Sequence, residues 1–210
     1  PRVREYLLTA ADGNALPRYE PGAHIALHTR SAEGSTLVRH YSLLGGTDAA
    51  DDPRHAYRIA VQREDRARGS AHIHASFAPG TRLCVAPPAN HFPLDRRDTH
   101  SLLIAGGIGI TPIFSMARSL ARRHREFTVV YAGRSREEMA LCDSLGRVAG
   151  GRVRIHNSDQ NGRPDLTALL REQHQRQQPH RGMQQRGAQA AAARMPFAGD
   201  QGLLLHAPGH

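Results

Sequence analysis

The rhythm of hydrophobic and polar positions changes near residue 98 of this 210-residue chain. Before that point, short stretches of alternating apolar and polar residues are separated by turn sequences such as Asp12-Gly13-Asn14 and Glu20-Pro21-Gly22. Several short strands at this spacing predict an antiparallel barrel or sandwich over residues 1–98. The predicted elements of this part are strands at 3–9, 23–28, 38–44, 57–62 and 82–86 and a short helix at 69–77.

After residue 98, apolar strands alternate with amphipathic helices, which is typical of a parallel sheet covered by helices. The predicted elements are strands at 101–105, 127–132 and 153–156, helices at 112–124 and 137–148, and a further helix that starts at 165–170. We therefore predict an α/β nucleotide-binding domain over residues 99–170 that stops after three strands and is incomplete. Ligands of such sheets bind beyond the carboxyl ends of the strands, which predicts a crevice lined by residues 106–111, 133–135 and 157–160.

The pattern dissolves in residues 171–210, where Gln, Arg, His, Ala and Gly dominate and the first apolar run is Leu203-Leu204-Leu205. A segment of this composition buries too little surface to offset its ordering entropy. We predict a disordered low-complexity tail, or an end produced by truncation or a frame shift.

Charge and composition narrow the function classes. The 28 basic residues, all of them Arg, outnumber 19 acidic residues and give a net charge of +9. The arginines are scattered, so the charge argues only weakly for nucleic-acid binding. Cys84 and Cys142 form no zinc or disulfide pattern, and no apolar run is long enough to cross a membrane. We therefore expect a cytoplasmic protein. We also expect no metal site, since His72 and His74 have no acid or cysteine at ligand spacing.

One motif joins the strand at 101–105 to the helix that follows. Gly106, Gly107 and Gly109 allow a tight turn and bring bare N–H groups close to a diphosphate, and Pro112 suits the first turn of a helix. A strand–helix turn without a ligand fits this stretch equally well, because its spacing is not that of the Rossmann fingerprint.

Two further motifs lie in the barrel. In Arg39-His40-Tyr41-Ser42 the arginine can hold a phosphate with two parallel hydrogen bonds, and the tyrosine offers an aromatic face. Gly69-Ser70 opens a helix whose free amides can bind a second phosphate group. Alone, these motifs also fit an ordinary strand and a helix cap.

The order R-x-Y-S, then R-G-S before a helix, then G-G-I-G-I-T-P resembles the ferredoxin–NADP reductase superfamily. A closer resemblance is to the reductase components of phthalate dioxygenase and vanillate demethylase systems, and it covers about residues 1–170. It is supported by Glu20-Pro21-Gly22-Ala23-His24, Tyr131-Ala132-Gly133-Arg134-Ser135 and the stretch at 87–94. The resemblance implies hydride transfer from a nicotinamide to a flavin, in which stacking of the two rings replaces acid–base chemistry.

The resemblance also implies the site residues. It assigns the flavin phosphate to Arg39, Gly69 and Ser70, and it places Ser42 and Thr111 at the reacting rings. The flavin contacts that it implies are Arg39, Tyr41, Ser42, Leu43, Ala60, Val61, Gln62, Gly69 and Ser70. The nucleotide contacts that it implies are Gly106, Gly107, Gly109, Thr111, Pro112 and Arg134. We expect FMN in preference to FAD, and NADH in preference to NADPH, although Arg134 and Arg136 could also hold a 2′-phosphate.

Two departures from the family pattern affect the expected function. The C-G-P motif of a later nucleotide-domain strand is absent, and residues 203–209 are a faint echo without the cysteine. The four clustered cysteines of a [2Fe–2S] domain are also absent, so we expect no iron–sulfur cluster in this chain. The first hypothesis is a reductase for a Rieske-type oxygenase, with activity impaired by the missing part. The alternatives are a stand-alone flavin or ferric reductase, an inactive flavin-binding fragment and a basic nucleic-acid-binding module.

Overall fold

The computed structural model of the chain describes residues 2–30, 34–45, 54–64, 68–95, 97, 100–162, 165, 167–168, 171 and 201–206. Within these residues the chain forms one antiparallel sheet of six strands and one parallel sheet of three strands. The prediction of an antiparallel barrel followed by an α/β domain is confirmed.

Five strands of the antiparallel sheet come from the first part of the chain, together with one helix. They are β1 (Val3–Ala10), β2 (His24–Arg30), β3 (Thr36–Ser42), β4 (Tyr57–Gln62) and, after helix α1 (Arg68–Ser76), β5 (Arg82–Val85). Alternate side chains of each strand point inwards, so Leu8, Ile25, Leu27 and Ile59 form one buried core. The sheet curves until its two outer strands meet, where the Leu44 N–H donates to the Arg58 carbonyl at 2.9 Å.

The second part of the chain alternates strands and helices as predicted. Strand β6 (His100–Gly106) is followed by a 3₁₀ turn (Gly107–Gly109), α2 (Ile110–Arg122), β7 (Glu126–Gly133), α3 (Cys142–Ala149), β8 (Val153–Asn157) and α4 (Ser158–Asn161). The strands pair in parallel in the order β6-β7-β8. Of the helix predicted from 165–170, only 165 and 167–168 are described, and short α4 was not predicted.

A strand from the end of the chain completes the antiparallel sheet. Strand β9 (Gln201–His206) lies between β5 and β1, antiparallel to both, in the order β3-β2-β5-β9-β1-β4. The prediction of a disordered tail is wrong for these six residues, because the two neighbouring strands offer hydrogen-bonding edges that the local sequence does not reveal. The sequence at 203–209 faintly resembles the C-G-P motif of the nucleotide-binding domain. Its described part, residues 203–206, lies in the antiparallel sheet and not in the parallel sheet. Residues 172–200 and 207–210 lie outside the described residues.

The two sheets share a packed boundary formed by α2 and the outer face of β4. Leu44 and Ala60 from the barrel are buried in the same hydrophobic cluster as Ile113 and Ala117 of α2. The Gly22 N–H donates to Ser115 Oγ on α2 at 3.0 Å. The barrel therefore meets the nucleotide-binding unit through direct contacts, and residues at the end of β4 lie close to the end of β6.

Candidate functional site

The glycine turn after β6 presents exposed backbone. A Cβ built on Gly106, Gly107 or Gly109 would meet no atom of the described residues within 4 Å, so packing does not require these glycines. Gly107 has a φ of +50°, a conformation that favours glycine. Helix α2 begins with Gly109 as its N-cap, without a capping side chain. The Ile110 N–H at the start of the helix already donates within the turn, to the Gly107 or Ile108 carbonyl, and Pro112 has no N–H. What the helix offers an anion in the space above the turn is therefore the partial positive charge of its dipole.

Two hydroxyl groups hold this turn in place. Thr111 Oγ1 donates to the Ile108 carbonyl at 3.1 Å, and the Thr111 side chain is buried. The Tyr131 hydroxyl lies 3.1 Å from the carbonyl oxygens of Gly107 and Ala140, and it can donate to either. Burial raises the pKa of Tyr131, so the phenol keeps its proton and remains a donor at neutral pH.

An interdomain crevice of about 380 Å³ opens at the carboxyl ends of the three parallel strands. Gln62 enters it from β4 of the barrel, opposite Gly107 and Arg134 of the nucleotide-binding unit. The lining is completed by Arg2, Ala132, Gly133, Glu138, Met139 and Ser158. Glu138 Oε1 lies 3.4 Å from Arg2 Nη1 and 4.0 Å from Arg134 Nη1, so the rim carries both signs of charge. The crevice lies where the sheet topology predicts a ligand.

A second ligand-binding geometry occurs in the barrel, where β3 meets the start of α1. A Cβ built on Gly69 would lie 2.8 Å from Arg39 Nε and 3.3 Å from its guanidinium carbon, so the guanidinium rests against the helix start. Arg39 Nη1 also donates to the Val38 carbonyl at 2.9 Å. A fixed guanidinium beside the first amides of a nine-residue helix is a suitable site for a phosphate group.

The hydroxyl of Ser70 has a structural partner in the same place. The Glu64 N–H donates to Ser70 Oγ at 3.0 Å, and Ser70 is buried. Because the oxygen accepts this bond, its own proton remains available to a further acceptor. The contact ties the end of the β4 segment to the helix that would hold the phosphate.

Comparisons with known proteins agree with this geometry. Residues 103–188 match the family model described as the oxidoreductase NAD-binding domain. The chain is 43% identical over 166 residues to the phenoxybenzoate dioxygenase subunit beta of Ectopseudomonas oleovorans, covering 78% of this chain and 49% of that protein. It is 39% identical over 167 residues to the vanillate O-demethylase oxidoreductase of Pseudomonas sp. strain HR199, covering 76% and 49%.

The solved structure of phthalate dioxygenase reductase is similar to this chain with a TM-score of 0.69 and 34% identity, over 81% of this chain and 52% of that one. The chain has the fold of the ferredoxin–NADP reductase superfamily. The resemblance to oxygenase reductase components is confirmed. The chain spans about half the length of the curated relatives it matches.

The structure groups the predicted residues of this chain into two places. Gln62, Gly107 and Arg134 line the crevice, and Arg39 contacts Gly69. Ser42 ends β3 opposite His24, and Pro112 lies in the first turn of α2. Neither Ser42 nor Thr111 is among the crevice residues, so a catalytic role for the pair stays a prediction.

Three of the predicted flavin contacts are buried inside the protein. Leu43 and Val61 are fully buried in the barrel core, and Ala60 is buried at the boundary of the two sheets. Their side chains therefore support the site from the interior of the protein. Tyr41 is half-buried, and burial raises the pKa of its hydroxyl to about 12, so it stays protonated at neutral pH.

Residues that sequence reasoning did not assign to the site also support it. The Tyr131 hydroxyl contacts the Gly107 carbonyl, and Met139 packs on Gly133 so tightly that a Cβ there would overlap Met139 Cγ. His74 Nε2 lies 2.8 Å from the Val61 carbonyl, and burial lowers the pKa of His74. Tyr131 and Gly133 belong to the motif at 131–135, but only the fold shows what their atoms contact.

The described residues contain neither a metal-binding cluster nor a helix suited to a membrane. No group of three His, Cys, Asp or Glu side chains in this part of the chain is arranged to hold a metal ion. Among the described helices, none is long and apolar enough to cross a membrane.

Proposed function

We propose that this chain transfers a hydride from NADH to FMN held by its barrel, as the electron-input part of an oxygenase or demethylase system. The observation that carries the proposal is the interdomain crevice, where Gln62 at the end of β4 faces Gly107 and Arg134. A nicotinamide ring above the glycine turn would there lie next to a flavin along β4. The bound FMN and NADH supply the acceptor and donor of the hydride, and the protein contributes their positions.

The residues of the chain divide this work between them. Arg39 and the start of α1 would hold the flavin phosphate, with Ser70 as an additional donor. The backbone of the glycine turn and the partial positive charge at the start of α2 would hold the nucleotide diphosphate. Tyr131 and Thr111 keep that turn in one conformation through their bonds to Gly107 and Ile108.

FMN fits the barrel site better than FAD, because the site suits a terminal phosphate. Arg39 packs directly against Gly69, so the cation sits at the helix start itself. A terminal phosphate carries up to two charges and three oxygens, which match a guanidinium together with helix amides. FAD would bind here through its internal diphosphate. Its adenosine half would then need further space beyond the contact between Arg39 and Gly69.

The carboxylates beside the two arginines after β7 favour NADH over NADPH. Arg134 lies 4.0 Å from Glu138, and Arg136 Nη2 donates to Asp143 Oδ1 at 3.2 Å. Each carboxylate competes with a 2′-phosphate for its arginine. We expect Glu138→Gln to raise the ratio of kcat/KM for NADPH to that for NADH by at most about fivefold, the scale of an exposed ion pair. Glu126→Gln, at the exposed start of β7, serves as the control. An unchanged ratio in Glu138→Gln would remove this pair from nucleotide selection.

The electron acceptor is proposed from the relatives. The phenoxybenzoate dioxygenase subunit beta and the vanillate O-demethylase oxidoreductase are named for oxygenase and demethylase systems. By this likeness, the reduced flavin of the chain would serve an oxygenase component.

The test begins with the chain freed of flavin and titrated with FMN and with FAD. We expect FMN to bind at least tenfold more tightly, and we expect NADH-dependent reduction of an artificial acceptor only when flavin is bound. Arg82→Gln, which changes an exposed arginine on β5, should behave as the unaltered chain does. Tighter binding of FAD would overturn the choice of flavin, and flavin binding without NADH-dependent reduction would overturn the proposed activity.

A further inference from the structure

A second cavity lies at the boundary of the two sheets, away from the crevice. Arg58, Ala60 and Gln62 share the outer face of β4, because side chains two apart on a strand point the same way. Gln62 lines the crevice, Ala60 packs in the middle, and Arg58 lines a separate cavity of about 240 Å³. Gln62 lies four positions after Arg58 along the strand, so their Cα atoms are about 13 Å apart.

The lining of this cavity is strongly basic. Its residues are Arg58 from β4, Phe114 and Arg118 from α2, and Ser144, Arg147 and Val148 from α3. We refer to it as the arginine cavity. Arg118 is only 8% exposed, in a position that usually holds an apolar residue. Three arginines from three different elements thus line one cavity.

Contacts inside the protein hold two of these guanidinium groups in place. Arg58 Nε lies 3.3 Å from Glu5 Oε2, and the guanidinium carbon of Arg58 lies 5.4 Å from the centre of the Phe114 ring. Arg118 packs beside Gly45, where a Cβ would lie 3.5 Å from its Cδ and Nη1. These contacts are made before any ligand arrives, so less side-chain entropy is lost on binding.

The α3 side of the cavity adds a hydroxyl group. Arg147 Nη2 donates to Ser144 Oγ at 3.0 Å, which leaves the hydroxyl proton of Ser144 free to be donated elsewhere. Arg147 is exposed, so it marks the side of the cavity through which a ligand can enter.

We infer that the arginine cavity binds a small oxyanion of the phosphate class. Planar guanidinium groups match the oxygens of phosphate in pairs of parallel hydrogen bonds, and the serine hydroxyl adds a further donor. The volume equals that of about eight water molecules, which accommodates such an anion with part of its hydration. The site is distinct from the proposed flavin and nucleotide sites, and it joins β4 of the barrel to α2 and α3.

The test measures thermal unfolding of the full chain against increasing inorganic phosphate, with chloride adjusted to constant ionic strength. A ligand that binds only the folded state raises the unfolding midpoint as its concentration exceeds its dissociation constant. We expect the midpoint to rise with phosphate, and we expect Arg147→Gln and Arg58→Gln to lower the apparent phosphate affinity at least fivefold. Arg82→Gln, on the exposed face of β5, should keep the full response.

Arg39→Gln separates this site from the flavin-phosphate site. If phosphate stabilises Arg39→Gln as much as the unaltered chain and the response falls in Arg147→Gln and Arg58→Gln, the phosphate binds in the arginine cavity and the inference holds. A response that all three variants keep comes from another site and overturns the inference. If the response is lost in Arg39→Gln and kept in Arg147→Gln and Arg58→Gln, the phosphate binds at the flavin site and the inference is overturned. No rise in the unaltered chain at constant ionic strength also overturns it, without affecting the proposed hydride transfer.

Discussion

The glycine-containing starts of α1 and α2 differ in their surroundings. At the start of α1, Gly69 is covered by the Arg39 guanidinium, and a Cβ would meet Arg39 Nε at 2.8 Å. At the start of α2, a Cβ on Gly106, Gly107 or Gly109 would meet no described atom within 4 Å. At the first turn, glycine leaves room for the Arg39 guanidinium beside the helix start. The second uses glycine for its backbone conformation and for open access.

This difference predicts two modes of anion binding. The start of α1 has the Arg39 guanidinium beside it. A compact charged group such as a terminal phosphate therefore gains a charge-assisted hydrogen bond there. The turn after β6 offers amides and the partial positive charge of a 13-residue helix, which suits a longer diphosphate held by its backbone contacts. Substitutions at the two turns should therefore separate flavin binding from nucleotide binding.

Arg39→Ala tests the barrel turn with the largest expected effect. Loss of a charge-assisted hydrogen bond should weaken FMN binding by about 1.5–3 kcal/mol. The KM for NADH, measured with FMN at saturation, should stay unchanged. Fluorescence titration of the flavin-free chain measures the first value, with Arg82→Ala as the control. An unchanged FMN affinity would exclude Arg39 from the site.

Gly107→Ala tests the open turn. Alanine at a φ of +50° should destabilise the chain by about 1–2 kcal/mol and raise the KM for NADH, while FMN affinity stays constant. Gly13 is a matched control, because it also has a positive φ, of +74°, and open space around its Cα. Gly13→Ala should lower stability by a similar amount and leave the KM unchanged. Equal effects of both substitutions on the KM would contradict a specific role for the turn.

Gly69→Ala sharpens the contrast, because the new methyl group displaces the end of a flexible side chain. FMN affinity should fall by about 1 kcal/mol as the guanidinium moves, with little change in the free energy of unfolding. Gly146→Ala, within α3 and with open space at its Cα, is the control and should leave FMN binding intact. If Gly69→Ala destabilises the fold and keeps its FMN affinity, the contact is structural only.

Tyr131→Phe is the smallest of these changes, a single oxygen atom. It removes the donor to the Gly107 or Ala140 carbonyl and should lower stability by about 0.5–1 kcal/mol. It should also raise the KM for NADH, because the turn loses a support. Tyr57→Phe is the control, since the Tyr57 hydroxyl donates to the Pro17 carbonyl inside the barrel. A KM that is the same in both variants would remove Tyr131 from the positioning of the turn.

Much of the fold was predictable because local pattern and final structure agree. The strand at 57–62 has the same bounds in both, and most other strands differ by one or two residues at an end. Helix α3 begins at Cys142, five residues later than the predicted start at 137. The reason is tertiary, since Met139 packs on Gly133 and Leu141 has a left-handed φ of +61°. Strand β9 escaped prediction because its partners are more than 100 residues away in sequence.

The candidate site was predictable where its residues belong to a recognisable sequence motif. The glycine turn and Arg39 were identified from sequence, but their surroundings depend on the fold. The contact between Arg39 and Gly69 joins residues 30 positions apart, and the crevice joins Gln62 to Gly107. The arginine cavity takes its lining from three elements with no common motif. Pairings of this kind arise when the chain folds, so composition and spacing do not reveal them.

The most direct test of the account is rapid mixing of the FMN-loaded chain with NADH in the absence of oxygen, followed by flavin absorbance. We predict flavin bleaching at a rate that saturates with NADH and that falls when the transferred hydrogen of NADH is replaced by deuterium. Saturation would reflect nucleotide binding in the crevice, and the isotope effect would reflect hydride transfer from the nicotinamide to the flavin. A flavin that stays oxidised, or a rate that rises linearly with NADH without an isotope effect, would contradict the account.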